Sequence, residues 1–268
     1  MKLIASILSL LMIVPISGMA KEHSGNGRQS AGALSKQSRN EANQANAQNR
    51  LPQPSRDSMD FFAAAVNGNL EVADTLLQRG ADINCRNCDS QGRTALNLSV
   101  AKGRGSWGYV TNPQVKYLLE HGADPNIPDM NGITPLMQIV AGDAEKKGID
   151  IMNLLLQHGA KPGLTDNEGR SAINHVNTII DSSQQVTLLL DAGEDINHQT
   201  KFGATLLMQA ASNCPGRPFS VDFARFLLQT NANRDLKTKD GRTALDIALS
   251  LAAQVGGSCN NMVKVLKE

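Results

Sequence analysis

One phrase of nine residues returns five times along this chain and limits what the chain can fold into. The first copy, residues 76–84, reads Leu-Leu-Gln-Arg-Gly-Ala-Asp-Ile-Asn. The other copies begin at residues 118, 155, 189 and 227. Self-similarity at a spacing of about 20 to 50 residues is the signature of stacked repeats, in which each repeat buries the apolar face of its neighbour. The phrase therefore predicts a solenoid.

A second phrase, Asp-x-x-Gly-x-Thr-x-Leu or a near variant, alternates with the first. Its copies are residues 89–96, 129–136, 166–173, 200–207 and 238–245. Together the two phrases resemble the ankyrin repeat, which is a β-turn followed by two antiparallel helices in roughly 33 residues. The resemblance covers about residues 55–268. It implies an all-α solenoid of about six units.

The second phrase departs from the ankyrin pattern at one position. The family usually has a His after Thr-Pro-Leu, and that His helps to fasten neighbouring turns to one another. This chain has other residues at the equivalent positions: Asn97, Met137, Asn174, Met208 and Asp246. We therefore expect the fold to be kept and the hydrogen bonds of the turns to differ in detail.

The ends of the helices carry the residue types that this fold requires. A helix stops where one residue adopts left-handed backbone, which Gly does without steric penalty and which Asn tolerates. The first phrase supplies these residues: Gly80, Gly122, Gly159, Gly193 and Asn231. The second phrase supplies hydroxyl N-caps: Thr94, Thr134, Ser171, Thr205 and Thr243. Phe61 and Phe62 are expected to open the first inner helix.

The first twenty residues have the pattern of a secretory signal peptide. Lys2 is the one charge before residue 21, and residues 3–16 are almost entirely apolar. Gly18 and Ala20 provide the small residues at positions −3 and −1 of a cleavage site. We expect cleavage at about Ala20 and a periplasmic or secreted location, as in an exported bacterial ankyrin-repeat protein. An uncleaved membrane anchor is the alternative, although a span needs about 20 apolar residues.

Residues 21–53 differ in composition from everything that follows. Leu34 and Leu51 are the only large aliphatic residues in this segment. It cannot bury enough apolar surface to offset its ordering entropy. We predict a disordered polar linker, with a tail that folds on contact with a partner as the alternative. The ankyrin-repeat domain is predicted at residues 54–268, with repeats at about 55–88, 89–128, 129–165, 166–199, 200–237 and 238–268.

The charge balance favours a protein as the partner. The chain has 26 Lys and Arg and 25 Asp and Glu. The predicted signal peptide holds one Lys and no acidic residue, so the exported chain carries no net charge. Nucleic acids and anionic membranes need a clustered positive field. We therefore expect a protein partner, no nucleic acid, no stable membrane insertion after cleavage, and no small-molecule substrate.

Four cysteines fit an oxidising compartment. Cys85 and Cys88 lie in the one turn that is two residues longer than the others, and we expect a structural disulfide between them. A redox pair and half of a zinc site are the alternatives. Cys214 and Cys259 fall in helix-to-helix loops of neighbouring repeats. They are expected to form a second disulfide, with free buried thiols as the alternative.

The sequence offers no pattern that points to catalysis. It holds no G-x-S-x-G, H-E-x-x-H or phosphate-binding loop. His121 and His158 precede two stop glycines, where a His complements the helix C-terminus more often than it binds a metal. The recurring acidic residues occupy turn positions in which Asp bonds to its own backbone: Asp82, Asp124, Asp129, Asp166 and Asp195. We expect no enzyme, no cofactor and no metal.

Trp107 and Tyr109 are the most suggestive side chains for binding. They lie in the longest insertion, residues 103–112, although aromatic residues make up only 3% of the chain. Trp and Tyr are enriched in interface hot spots, so these two residues are candidate contacts. The alternative is that they fold back onto the neighbouring helix as a local plug. Phe219, in the loop of the fifth repeat, poses the same choice.

The resemblance to ankyrin repeats implies a non-catalytic scaffold that binds protein through its turn tips and concave face. The implied contacts lie at the turn tips: Arg86, Asn87, Arg93, Met130, Asn131, Ile133, Glu168, Arg170, Lys201, Phe202 and Arg242. The tasks implied for an exported bacterial member are neutralising a toxic periplasmic enzyme and supporting an oxidative-stress enzyme there. A secreted effector that binds a host protein is one alternative. A thiol redox protein that uses Cys85 and Cys88 is the other.

Overall fold

The computed structural model describes residues 53–101, 112–142, 146–178, 181–215, 218–255, 257 and 259–268. Six successive pairs of helical elements occur in these ranges, which contain no β-strand. Each pair has an inner element, which follows a turn, and an outer helix. The elements are α1 (Arg56–Asn67), α2 (Leu70–Gln78), α3 (Ala95–Ala101), α4 (Asn112–Glu120), α5 (Pro135–Val140), α6 (Lys146–Gln157), the 3-10 helix η1 (Ala172–His175), α7 (Ser183–Asp191), α8 (Leu206–Ser212), α9 (Pro218–Gln229), α10 (Ala244–Val255) and α11 (Asn260–Lys267). The predicted all-α solenoid is confirmed.

The core runs along the stack between the inner and outer helices. The inner helices α3 and α5 are short and almost completely buried, because inner elements of both neighbouring repeats pack against them. The outer helix α4 buries one apolar stripe, which includes Val115, Leu118 and Leu119. The buried residues form one cluster from Phe61 to Leu266. Each repeat is therefore stabilised by burial against its neighbours and could not form its core alone.

The helix ends follow the expected pattern. The four predicted stop glycines have φ between 86° and 89°, and Asn231 has φ 67°, so all five residues adopt left-handed backbone. Thr134 and Thr205 accept the N–H of the residue three positions ahead, as N-caps do. The expected start of the first helix is wrong. Helix α1 begins at Arg56, because the Ser55 hydroxyl caps it by accepting the Ser58 N–H.

The fourth repeat departs from the others in its inner element. A single 3-10 turn, η1, replaces the α-helix of six or seven residues found in α3, α5 and α8. Val176 and Thr178 follow η1, and β-branched residues favour helix poorly. Side chains of the fifth repeat partly replace the missing packing. Gln209 donates to the Asn174 carbonyl at 3.1 Å, and Asn213 donates to the Thr178 hydroxyl at 2.6 Å.

Two disulfides hold the four cysteines in the predicted pairs. Cys85–Cys88 closes the first turn, with Cα atoms 5.7 Å apart. Cys214, between α8 and α9, bonds to Cys259, just before α11, with Cα atoms 5.2 Å apart. Both separations suit a disulfide. Cys85 is only 5% exposed, which disfavours the redox alternative because thiol exchange requires an accessible sulfur.

Several predictions concern residues outside the described ranges. They are the signal peptide at 1–20, the linker at 21–53 apart from its last residue, and Trp107 and Tyr109. These stay predictions, and so do the boundaries of the individual repeats. Among the helices that the structure describes, none combines the length and hydropathy that a membrane span requires.

We predict that the Cys214–Cys259 bond contributes more stability than the Cys85–Cys88 bond. The first closes a loop of 45 residues and the second a loop of 3. In the chain-entropy account, loops of these sizes correspond to about 4 and about 2 kcal/mol. Urea unfolding of the double variants Cys214→Ala/Cys259→Ala and Cys85→Ala/Cys88→Ala, without reductant, measures both. Equal losses of unfolding free energy would contradict this account.

Candidate protein-binding surface

The turns of successive repeats are joined by backbone hydrogen bonds. In every turn after the first, the residue two positions before the turn glycine donates its N–H to the preceding turn. The acceptor is the backbone carbonyl of the residue that comes just before the glycine of that preceding turn. The N···O distances are 2.9–3.0 Å. The pairs are Met130 to Gln91, Asn167 to Asn131, Lys201 to Glu168, and Lys239 to Phe202. We call this row of bonds the turn ladder, and it fixes five turn tips in one register.

The turn glycines are required by the turn ladder for two reasons. Gly132, Gly169 and Gly203 have φ between 70° and 81°, which strains any residue with a Cβ. A Cβ at Gly132 would also lie 2.8 Å from the backbone nitrogen of Asn167. A Cβ at Gly203 would lie 2.9 Å from the carbonyl oxygen of Lys237. The close approach of consecutive turns therefore excludes larger residues at these positions.

Gly241 offers a matched control for this close approach. Its φ is 82°, but a Cβ there would meet nothing within 4 Å. We predict that Gly241→Ala lowers the free energy of unfolding by about 1 kcal/mol through backbone strain alone. Gly203→Ala should lower it by about 1–3 kcal/mol more, because the next turn must move. The measurement is urea unfolding, and equal effects would show that the turns are not in contact.

Acidic side chains stabilise the turns from within, as predicted. The five recurring Asp residues each accept the backbone N–H two positions ahead at 2.8–2.9 Å. Arg93 also donates twice to the Asp89 carboxylate, from Nε at 2.9 Å and from Nη2 at 3.1 Å. The Arg93 hydrogen bond holds the pKa of Asp89 below its usual value. These carboxylates therefore have structural partners.

In two repeats an asparagine, at the position where the family usually has a histidine, connects its own turn to the next repeat by hydrogen bonds. The side-chain oxygen of Asn97 accepts the N–H and hydroxyl of Thr94, both at 2.8 Å. Its amide nitrogen donates to the Ile127 carbonyl of the next turn at 3.3 Å. Asn174 repeats both contacts with Ser171 and with the His198 carbonyl. Asp246 caps Thr243 in the same way but carries no donor for a following turn.

A second set of asparagines, which the sequence interpretation missed, links the repeats near the helix ends. Asn126 accepts the Lys161 N–H at 2.8 Å and donates to the Gly159 carbonyl at 3.0 Å. Asn197 makes the same two contacts with the following repeat. The sequence feature that indicates this link is the Asn that ends the nine-residue phrase in three of its five copies. In the third copy the ninth residue is Gly163, which has no side chain to make this hydrogen-bonded link.

Most of the predicted basic contact residues already have partners within the turns. Arg86 Nε donates to the Gly92 carbonyl at 3.4 Å, and Lys201 Nζ donates to the Asn167 carbonyl at 2.8 Å. Arg93, Arg170 and Arg242 pair with carboxylates of their own turns. These side chains are positioned by the turns, so they present donors and charge in fixed places. Their role in binding stays a prediction.

The remaining predicted contacts differ in exposure. Met130 and Phe202 are 65% and 66% exposed, although both are large and apolar. Asn131 and Glu168 are exposed as well, whereas Asn87 is half-buried. Ile133 is half-buried and packs against the core, so it supports the turn more than it faces a partner. The turn ladder thus brings exposed apolar and polar side chains onto one ridge.

A hollow lies beside this ridge, between the turns and inner helices of the fifth and sixth repeats. We call it the Phe202 hollow. Its volume is about 480 Å³. Pockets of this size are large enough to receive a ligand or a partner's side chains. Its lining includes Phe202, Ala204, Met208, Lys239, Arg242 and Ile247.

The histidines have structural contacts. His121 Nδ1 is 2.8 Å from the Tyr117 carbonyl, at the end of α4, as expected for a His that complements a helix C-terminus. In the ranges that the structure describes, no three His, Cys, Asp or Glu side chains are placed to hold a metal ion. His175 Nε2 lies 3.1 Å from Asp166 Oδ2. Burial, and then the charge of Arg170, lower the pKa of His175, and Asp166 only partly offsets them.

The lowered pKa of His175 predicts a loss of stability in mild acid. Below the pKa of about 6.5 that His has in an unfolded chain, the unfolded state gains a proton that the folded state takes up less readily. The contribution of His175 to stability should therefore be complete above that pKa and be lost as the pH falls below about 6.5 toward the lower pKa of the folded state. The variant His175→Gln should show a shallower fall in thermal unfolding midpoint. An identical slope would remove His175 as the cause.

Comparison with known proteins agrees with this architecture. A family model described as ankyrin repeats, three copies, matches residues 61–166 and 178–268. The chain therefore belongs to the ankyrin-repeat family, whose members are typically protein-interaction domains without enzymatic activity. An ankyrin repeat protein of Acanthamoeba polyphaga mimivirus is 29% identical over 182 residues, which are 67% of this chain and 26% of the viral protein. This chain thus spans about a quarter of that relative.

Solved structures show the same fold. An ankyrin repeat domain from Acinetobacter baumannii is similar with a TM-score of 0.60 and 25% identity, and the match covers 78% of this chain and 96% of that domain. A chain in the structure of a predatory endopeptidase from Bdellovibrio bacteriovorus in complex with an immunity protein has a TM-score of 0.59 and 22% identity. That match covers 80% of this chain and 98% of the other.

Proposed function

We propose that this protein is a non-catalytic scaffold that binds a partner protein in the periplasm or outside the cell. The surface that binds is the ridge of turn tips together with the concave face of the inner helices. The partner is an enzyme of that compartment, which this protein neutralises or supports. Membership of the ankyrin-repeat family supports protein binding. The bacterial complex that contains an immunity protein supports a task of this kind.

The exposure of Met130 and Phe202 on a rigid ridge is the observation that carries this proposal. Burial of large apolar side chains stabilises a folded protein by roughly 25 cal/mol per Å² of apolar surface removed from water. Here the turn ladder holds the backbone on either side of both residues, so their side chains stay in water. Apolar anchors surrounded by fixed polar groups are typical of protein interfaces. A partner that covers the ridge would bury both side chains without rearranging the turns.

Two features support an extracytoplasmic compartment. Both disulfides need an oxidising environment to form and persist. The predicted signal peptide provides the route of export. The two disulfides also lie on opposite halves of the repeat domain, one in the first turn and one between the helices of the last two repeats.

We predict that substitutions on the ridge abolish capture of the partner. The mature chain, immobilised on beads, is exposed to periplasmic extract and compared with the ridge variant Met130→Asp/Phe202→Asp. Trp107→Ala is tested separately, as the contact that the sequence predicts in the insertion at 103–112. A charge at an apolar anchor should weaken binding by at least about 2 kcal/mol, or roughly thirtyfold. Quantitative mass spectrometry of the retained proteins gives the result.

Val72→Asp is the matched control for this experiment. Val72 is 44% exposed on the outer helix α2, on the side away from the turns. The Val72→Asp variant should retain the same partner protein as the unmodified chain. If the ridge variants and the unmodified chain retain the same proteins in equal amounts, the ridge does not bind. Capture lost only with Val72→Asp would place the interface on the outer helices.

Export predicts a defined N-terminus. The protein recovered from the periplasm or medium should begin at about Lys21, since cleavage is expected after Ala20. N-terminal peptide mass spectrometry measures this directly. Replacing Ala20 by Lys should block cleavage and retain residues 1–20. A full-length chain that starts at Met1 in the cytosolic fraction would contradict the proposed location.

A further inference from the structure

The Phe202 hollow combines an apolar floor with a polar rim. Met208, from helix α8, is almost completely buried beneath it, and Ile247, from α10, is half-buried beside it. Ala204 completes the floor at the base of the turn of the fifth repeat. Phe202 stands at the edge with two-thirds of its surface exposed. An apolar side chain that entered the hollow would contact the ring and the floor at once.

The backbone of Phe202 is held in place by hydrogen bonds on both sides. The Phe202 N–H donates to the Thr200 hydroxyl at 3.2 Å, and the Phe202 carbonyl accepts the Lys239 N–H at 2.9 Å. The neighbouring Gly203 lies too close to the turn of the sixth repeat for that turn to slide. A backbone that is positioned before binding loses little conformational entropy on contact. The backbone of this wall is therefore preorganised, and only the Phe202 ring has to be ordered by a partner.

The charges around the hollow are mostly positive. Lys239 and Arg242 stand on its rim with Asp240. The Asp240 carboxylate accepts hydrogen bonds from the Arg242 guanidinium and from the Thr238 hydroxyl, so its own partners already engage it. In the described ranges, the Lys239 ammonium has neither an ion pair nor a hydrogen bond, and Lys239 is exposed. The Lys239 ammonium is therefore available to form an ion pair with a negatively charged group of a partner.

The helices that line the hollow do not cancel this charge. Helix α8 carries no charged side chain, and Asp246 is the one charged residue of α10. Asp246 accepts two hydrogen bonds from Thr243 and lies near Lys237. Lys201 precedes Phe202 in the chain, but its ammonium donates to the Asn167 carbonyl of the preceding turn, so Lys239 and Arg242 are the cations of the rim. The rim thus favours acidic groups, while the floor favours apolar ones.

We propose that the Phe202 hollow binds an extended acidic segment of the partner protein. This segment inserts one apolar side chain against Phe202, Met208 and Ile247, and a carboxylate next to that side chain pairs with Lys239. The inference rests on the proposed function and adds to it the place and chemistry of the anchor. Charge complementarity selects an acidic segment over a basic one. The hollow selects an apolar anchor over a polar one.

Synthetic peptides test the chemistry directly. The probes are blocked Ser-Glu-Leu-Phe-Glu-Ser, its charge-reversed form Ser-Lys-Leu-Phe-Lys-Ser, and its polar form Ser-Glu-Ser-Ser-Glu-Ser. Each is titrated into the ¹⁵N-labelled mature chain, and amide chemical shifts report both the affinity and the place of binding. The acidic apolar peptide should bind at least about tenfold more tightly than either of the others. It should shift the amides of Phe202, Met208 and Lys239, and bind more weakly as salt is raised.

Variants separate this hollow from the rest of the surface. Phe202→Ala and Lys239→Glu should each weaken the acidic apolar peptide by roughly tenfold. Val72→Ala is the control, since Val72 is an exposed apolar residue on the outer helix α2, outside the ridge and the hollow, and it should leave the affinity unchanged. Both Phe202 and Lys239 are exposed, so these variants should fold normally, and the ¹⁵N spectrum of each verifies it.

Three results would overturn the inference. One is equal or tighter binding of the charge-reversed peptide, and another is binding by neither apolar peptide. The third is a set of shifts confined to other turn tips, such as residues 86–93 or 129–133. In that third case the ridge still binds protein and only the place and chemistry of the anchor are wrong. The capture experiment with the ridge variants tests the broader function separately.

Discussion

The hydrogen bonds of the turn ladder keep the second to sixth repeats of this protein in register with one another. At three of the four bonds the turns approach so closely that only glycine fits between them, at Gly132, Gly169 and Gly203, and this approach fixes the spacing of the inner helices beneath. The apolar cluster from Phe61 to Leu266 then fills the space that the spacing defines. Burial supplies the free energy of the stack, and the turns define its geometry.

The same constraint explains how the surface can be specialised without harm to the fold. The backbone of a turn tip is fixed by its glycine, by its Asp or Thr, and by its neighbours, so the side chains that point outward are free to vary. Met130 and Phe202 illustrate this freedom, because large apolar residues stand there in water at no cost to the turns. The Phe202 hollow adds depth and charge to one end of this ridge.

Much of this structure could be predicted from the sequence, because it depends on local, repeated signals. The stop glycines, the hydroxyl caps and both cysteine pairs follow from residue type and position. The exceptions depend on tertiary context. The loss of the inner helix in the fourth repeat reflects a few poor helix formers and contacts from Gln209 and Asn213. The sequence shows Asn97 and Asn174 in place of the usual His. Predicting their contacts required knowing which backbone carbonyl of the next repeat lies opposite each side chain. The Phe202 hollow required the relative placement of two repeats.

Amide hydrogen exchange at the turn tips tests the central claim most directly. The account predicts that the N–H groups of Met130, Asn167, Lys201 and Lys239 exchange at least about a hundredfold more slowly than in an unfolded chain, because each donates to the preceding turn. Two-dimensional NMR of the mature protein in deuterated buffer resolves these four amides. Exchange of all four at the rate of an unstructured peptide would contradict a ladder of turns, and with it the rigid ridge on which the proposed binding depends.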